Sequence, residues 1–349
     1  MATRRRAVKK GVTFCMMVVG ASGTGKTTFV NTLCESAVIE HKISNNAQTA
    51  HVESGLQIKP AEGMRIGLTV VDTPGFGDSI DNEYMFNEIL GFLERQYDDI
   101  LAEESRIRRN PRFRDNRVHA LIYFIAPTGH SLREIDIELM KRLSPRVNVI
   151  PVIGKADSLT PQELADFRKR IMEDIEYYGI PIYNFPFDPE EDHADTIAEN
   201  SELRSLLPFA IIGSEGKVSV NGELVLGREY PWGTVEVDNP RHCDFGRLKS
   251  ALFGTHLNDL KEITHDFLYE NYRTEKLSRG MPADYSADAS ITNEELVNQS
   301  ARLREEQLQR EEEKLREIEL RVQREILEKR QELLAKEESL RNMEARLHA

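Results

Sequence analysis

Five short apolar runs punctuate the stretch from residue 12 to residue 275, at 14–19, 68–71, 120–125, 147–153 and 209–212. Each is continuous, without alternation of polar and apolar positions, which is the pattern of a strand covered on both faces. Between them lie segments whose apolar residues recur three and four apart, for example at 26–36, 84–104 and 161–178. That spacing predicts helices with one buried stripe. Strand and helix in repetition predict a parallel α/β sheet with right-handed crossovers and helices on both faces. Ligands of such sheets sit beyond the C-terminal ends of the strands.

The pattern changes beyond residue 275. Residues 276–291 are polar and rich in breakers, and predict a linker. Residues 292–349 hold almost no Gly or Pro and are dense in Glu, Arg, Lys and Leu. Apolar residues step by seven from Ala301 through Leu308 and Leu315 to Val322, then from Ile326 through Leu333 and Leu340 to Leu347. The step of four from Val322 to Ile326 keeps one heptad seam, with Val322 and Met343 at d and Ile326 at a, so a coiled coil is expected over 292–349. Glu305, Glu312, Lys329 and Lys336 lie on the same seam and thin it, and Ile318 and Leu320 lie off it, so a register shift is compatible with the pattern. A single solvated helix laced by Glu–Arg pairs is the competing reading.

Composition narrows the partners. The 349 residues carry a formal net charge of −13, with 30% charged and 40% hydrophobic residues. A chain of that sign binds no polyanion as a whole, so contact with acidic lipid or nucleic acid would need a local basic patch. Residues 1–11 form one, with Arg4, Arg5, Arg6, Lys9 and Lys10 placing five positive charges in seven residues. Each contributes about 1 kcal/mol near an anionic leaflet. A solvated tail or a subunit-contact arm is the other reading. Arg4, Arg5 and Arg6 ahead of the apolar run at 12–21 have the outline of a signal peptide, but the run is short and flows into a phosphate loop, so it is read as a buried strand. A second basic cluster, at 106–117, is read as an interface loop or as the partner of acidic neighbours. No nucleic-acid-reading motif is present. Cys15, Cys34 and Cys243 are too few and too scattered for a disulfide framework or a zinc site, and suit a reducing compartment.

The chemistry sits at the strand ends. Gly20-Ala-Ser22-Gly23-Thr24-Gly25-Lys26-Thr27 matches GxxxxGK[ST], between a predicted strand and a predicted helix. Its backbone N–H groups, with Thr28 just beyond, suit phosphates, Lys26 suits the β- and γ-phosphates, and Thr27 suits Mg²⁺. Asp72-Thr-Pro-Gly75 ends the second run. Its aspartate is a candidate for holding Mg²⁺ through water, and the Gly75 N–H is placed to sense a γ-phosphate. Gly154-Lys155-Ala-Asp157 closes another run. A carboxylate there accepts hydrogen bonds from N1 and N2 of guanine, a donor pair adenine lacks, although Asp157 also reads as an ordinary helix cap. The three motifs in order predict a GTP- or GDP-binding domain.

The motifs Gly20-Ala-Ser-Gly-Thr-Gly-Lys-Thr-Thr-Phe-Val-Asn-Thr-Leu, Asp72-Thr-Pro-Gly-Phe-Gly-Asp and Gly154-Lys-Ala-Asp are followed by Gly227-Arg-Glu-Tyr-Pro-Trp-Gly-Thr-Val-Glu-Val-Asp-Asn-Pro240 and by Leu268-Tyr-Glu-Asn-Tyr-Arg-Thr-Glu-Lys-Leu. Together they resemble the septins, over residues 12–275 as a GTPase domain plus the tail, and most closely fungal septins with a short basic arm. The resemblance implies a Ras-like P-loop GTPase fold, with a mostly parallel six-stranded sheet, a septin-specific extension and a C-terminal coiled coil. It implies that Arg228 and Gly213 line the guanine, that His130 and Trp232 lie near a nucleotide-side subunit contact, and that Thr49 is the switch threonine needed for hydrolysis, at the metal with Thr27 and Asp72. Taken alone, Trp232 reads equally as a core aromatic, and Arg228 as a surface arginine beside a turn.

The resemblance further implies hetero-oligomeric filaments with other septins, a phosphoinositide-bearing membrane contacted by the basic arm, and a place in the cytoplasm at the cell cortex, bud neck or septum, in cytokinesis and polarity. Phe76 follows Gly75 where a water-orienting glutamine would help, so hydrolysis through Lys26 and Thr49 is expected to be slow at most. A freely cycling GTPase switch, or a membrane scaffold with incidental nucleotide, remain the alternatives.

Overall fold

The structure is a computed structural model that describes residues 12–39, 50–58, 66–77, 82–108, 110, 113–187, 193–220 and 222–279, with the backbone alone described over 50–58. The basic arm, Thr49 and the expected coiled coil lie outside the described residues.

Strand β1 (Val12–Gly20) sits between two parallel neighbours, β3 (Ile66–Asp72) and β4 (Ala120–Ile125). β5 (Val149–Gly154) and β6 (Phe209–Ile211) extend the sheet in parallel on one side, and β2 (Ala50–Ile58) closes the other side antiparallel to β3. The order is β2-β3-β1-β4-β5-β6, the expected six-stranded, mostly parallel sheet. Alternate residues divide the interior in two. Phe14, Met16 and Val18 of β1, with Ile122 and Phe124 of β4, point into one core, while Cys15, Met17 and Val19, with Leu121 and Tyr123, point into the other. Both faces are therefore apolar, which explains why these strands read as continuous runs.

The first core is covered by α1 (Lys26–Cys34), α6 (Phe245–Ser250) and α7 (Leu257–Glu262), the second by α2 (Glu83–Glu104), α3 (Glu134–Leu143) and α4 (Pro161–Tyr177). In α2 the buried positions Phe86, Ile89, Leu93, Tyr97 and Ile100 form one stripe. α4 starts on a capping box, in which Thr160 and Glu163 exchange side-chain and backbone hydrogen bonds with Pro161 at the first turn. α5 (Ala194–Ser205) precedes β6. The three cysteines are buried and free, and the Cys15 thiol is pushed up to about 12 by burial first and then by Asp115.

After β6 the chain builds a separate antiparallel sheet, β7 (Lys217–Val220), β8 (Glu223–Tyr230) and β9 (Gly233–Glu236). The last helical stretch alternates α7 with five- and seven-residue π-helical turns, at Ala251–Thr255 and Ile263–Tyr269, before α8 (Glu270–Arg279). α8 runs on into the segment that composition marks as linker. Its tyrosines and those of the preceding turn meet α2, where Tyr97, Tyr269 and Tyr272 share a small cluster with Ile100 and Leu268.

Candidate functional site

Three strand ends converge on one loop. The loop from Gly20 to Gly25 leaves β1 at its C-terminal end, and Gly25, in the left-handed region at φ 98°, hands over to α1. Gly23, at φ 73°, is left-handed as well. Lys26 is buried, and its Nζ donates to the carbonyls of Gly20 and Ala21 at 2.8 Å each, so its side chain arches back along the loop. Thr24 Oγ1 donates to Ala21 O at 2.8 Å and fixes the turn. Ser22 and Thr28 stand at either end of the same turn, and Ser22 N donates to Phe76 O at 3.0 Å. The first N–H groups of α1 therefore point out of a pre-shaped, positively polarised mouth, the form a phosphate site takes.

β3 delivers Asp72 beside it. Thr27 Oγ1 lies 3.3 Å from Asp72 Oδ2, and the other carboxylate oxygen is buried. A hydroxyl and a carboxylate at a strand end are the hard oxygen donors that Mg²⁺ accepts, so the residues present fit that ion. Beyond Asp72, the Gly75 backbone presses on the P-loop so closely that a Cβ there would lie 2.5 Å from Ser22 Cα. Phe76 then turns inward, 1% exposed, with its ring 5.9 Å from Phe86 and 6.3 Å from Tyr123. The side chain after Gly75 is thus a core plug and cannot face a water.

β5 delivers the third motif. A Cβ on Gly154 would lie 2.3 Å from Thr24 O, so only glycine lets β5 reach the P-loop. Lys155 follows, exposed, at φ 50°, and Asp157 lies in the short 3₁₀ turn Ala156–Ser158. The helix-cap reading of Asp157 gives way, because Thr160 caps α4.

The second sheet closes the far end. Thr32 Oγ1 exchanges hydrogen bonds with the Ser214 backbone at 3.0 Å each, and Asn31 Nδ2 donates to Glu215 Oε1 at 2.8 Å. Helix α1 thereby anchors the loop after β6, bringing Gly213 against the backbone of Thr28 and Phe29. Ser214 Oγ donates to Gly227 O at 2.6 Å and so ties β8 to that loop. Arg228, next along β8, donates from Nε to Gly213 O at 2.9 Å, and its Nη1 lies 3.7 Å from Asp157 Oδ2. Arg228 is therefore no free surface arginine.

Tyr230, which the motif reading passed over, donates its hydroxyl to the same Asp157 oxygen. Burial first, and then that hydrogen bond, raise the phenol's pKa above its usual value. The two-residue step from Arg228 along a strand was the signal that the two share a face.

Gly20, Ser22, Gly23, Thr24, Gly25, Lys26, Thr27, Thr28, Asp72, Gly75, Lys155, Asp157, Gly213 and Arg228 thus fall around one mouth. His130 and Trp232 stand apart from these contacts, both exposed, Trp232 at 81%. The core-aromatic reading of Trp232 is overturned: its exposed indole stacks on Tyr230, ring centroids 5.0 Å apart and 5° from parallel. In the second basic cluster, Arg106 pairs with Glu103 at 2.8 Å and Arg117 with Asp115 at 2.7 Å, which favours acidic neighbours as the partners there.

The septin family model matches residues 10–284. The chain is a septin. It is 51% identical to septin homolog spn3 of Schizosaccharomyces pombe, over all of this chain and 93% of that protein. It is 46% identical to cell division control protein 11 of Saccharomyces cerevisiae, over 83% of this chain and 72% of that one. Its fold is similar to the crystal structure of Cdc11 from the same yeast, with a TM-score of 0.52 and 42% identity, covering 76% of this septin and all of that chain. The P-loop GTPase-like, mostly parallel sheet of this septin is the family's architecture.

Proposed function

We propose that this septin binds GTP or GDP with Mg²⁺ between the P-loop and Asp157, and that it assembles with other septins into filaments that scaffold septation and cytokinesis. One observation carries the nucleotide reading: Asp157 and Arg228 stand at one end of a mouth whose other end is the P-loop, joined through α1 and Gly213. In this reading the N–H groups from Ser22 to Thr28 and the Lys26 ammonium hold the phosphates. Asp157 accepts from the guanine edge, Lys155 and Gly213 flank the base, and Arg228 keeps Asp157 in place. Thr27 and Asp72 would hold Mg²⁺, with Thr49 joining them, and the ion would supply charge neutralisation at the phosphates.

Turnover is slow. Lys26 offsets developing charge and Thr49 is left to position water, because Phe76 is committed to the core. The nucleotide then acts as cement, and loading is linked to assembly. The relatives' names, cell division control protein 11 and septation protein 7 of Candida albicans, support the cellular role. His130 and Trp232 are the exposed residues proposed for the nucleotide-side contact. Arg4, Arg5, Arg6, Lys9 and Lys10 are proposed for a phosphoinositide-bearing surface at the cortex, bud neck or septum, and residues 292–349 for a coiled coil pairing septins laterally. Nucleic acid is not a proposed partner.

The test is extraction and chromatography of whatever nucleotide the purified full chain retains. Guanine nucleotide near one per chain is expected, and adenine nucleotide would sink the reading. Asp157→Asn exchanges an acceptor pair for one acceptor and one donor, and should shift preference from guanine to xanthine nucleotide.

A further inference from the structure

Base choice rests on the Asp157 carboxylate, and that carboxylate is covered. The Asp157 side chain is 6% exposed. Its Oδ2 receives the Tyr230 hydroxyl, and Arg228 Nη1 lies 3.7 Å from the same atom. The two covering residues are held differently. Arg228 is tethered on a second side by its Nε bond to Gly213 O. Tyr230 is attached at its hydroxyl to Asp157 and at its ring face to Trp232, which itself stands 81% exposed. Tyr230 lies at the end of β8, paired with Gly233 of β9, so its hydroxyl reaches the Asp157–Arg228 pair while its ring face carries the exposed indole.

A guanine offers N–H donors to a carboxylate, and a phenol O–H is a donor of the same kind. We propose that Tyr230 is a latch that occupies the guanine-recognising carboxylate when the base is absent and is displaced when the base enters, carrying Trp232 with it. This rests on the reading that the site takes a guanine nucleotide. The latch keeps a buried carboxylate satisfied while the site is empty, which removes the penalty of an unpaired buried charge. The same hydrogen bond competes with the ligand, so it weakens binding. Opening also moves the aromatic pair nearest the proposed nucleotide-side contact, so the presence of a base is reported at the surface there.

The experiment uses nucleotide-stripped full chain, the Tyr230→Phe variant and a fluorescent GDP analogue. Loss of one hydrogen bond to a carboxylate from the empty state only should tighten GDP binding about tenfold, with faster association and with preference over ADP retained, because Asp157 is untouched. The chain has a single tryptophan, so emission reports Trp232 alone. GDP should shift that emission in the natural chain. Equal or weaker GDP binding by Tyr230→Phe, or unchanged Trp232 emission while the natural chain demonstrably binds GDP, overturns the latch and leaves the nucleotide reading standing. No guanine binding by the natural chain overturns both.

Discussion

His119 shows how one side chain can set a pH limit on the fold. It lies 2% exposed immediately before β4, stacked on Phe14, and its Nδ1 accepts the Cys15 N–H at 2.9 Å. Burial, opposed by Asp115 and aided by Lys261 and Arg117, depresses its pKa to about 4. The folded state therefore binds fewer protons than the unfolded state between about pH 4 and the ordinary histidine value near 6.5. Stability is full above that window and falls as pH drops through it, by about 2 kcal/mol between pH 7 and pH 5 for this group alone. Protonation would also put an N–H where Cys15 needs an acceptor. His119→Gln keeps an acceptor without the titration, and should flatten the acid limb of denaturant melts over that range. An unchanged pH slope would count against the assignment. Gly154 tests packing at the same scale. A methyl 2.3 Å from Thr24 O cannot be absorbed by a flexible tip, so Gly154→Ala should lose guanine nucleotide on purification and cost stability on the order of 1–3 kcal/mol.

Among elements, α2 is the strut between the nucleotide loop and the C-terminal helices. It begins at Glu83, shortly after Gly75, and its second half is bonded to what precedes and forms α8. Tyr97 Oη donates to Arg146 O at 2.6 Å, and Arg146 reaches Glu94 on α2 and Glu275 on α8 at 3.2 and 2.7 Å. Tyr269 and Tyr272 donate to Glu104 and Asp98, each at 2.7 Å. Tyr97→Phe leaves a half-buried carbonyl without its hydroxyl partner and should cost about 1 kcal/mol, read as a lowered denaturant midpoint with an unchanged slope. Backbone hydrogen exchange in α8 should rise with it; an effect confined to α2 would argue that the two helices are not coupled.

This strut was half legible in the sequence. The stripe from Phe86 to Ile100 announces a helix, and β4 falls at 120–125 as its apolar run does. The partner stretch was missed because its burial is carried by tyrosines that hydrogen-bond, and the turns leading into α8 are π-helical, so no 3.6-residue stripe survives. β7, β8 and β9 were missed for a related reason. They belong to a three-stranded sheet with exposed positions such as Leu224, and short polar strands make no apolar run. The site fared better, because phosphate cradles depend on glycines at fixed spacing, whereas Tyr230 acts through tertiary contact with Asp157 and carries no motif of its own.

At the scale of the whole molecule, nucleotide, fold and assembly share one linkage. A ligand that binds the folded chain alone stabilises it by about 2.7 kcal/mol when present at a hundred times its dissociation constant. Lys26 is the lever for testing this, because its ammonium is buried against the loop carbonyls of Gly20 and Ala21 and faces the proposed phosphates. Lys26→Ala removes both contacts. The natural chain should melt several degrees higher with saturating GDP and Mg²⁺ than after stripping, and the variant should melt at one temperature with or without them. If the nucleotide is cement, the variant mixed with partner septins at low salt should sediment as isolated subunits and yield no filaments in negative-stain images, while keeping its circular dichroism. If the nucleotide is incidental, filaments should form regardless. Because the substitution leaves all five basic residues of the arm in place, vesicle binding by residues 1–11 should survive in the variant, which separates loss of cement from loss of membrane contact. Filaments formed by a folded, nucleotide-free Lys26→Ala chain would leave the P-loop without a role in assembly.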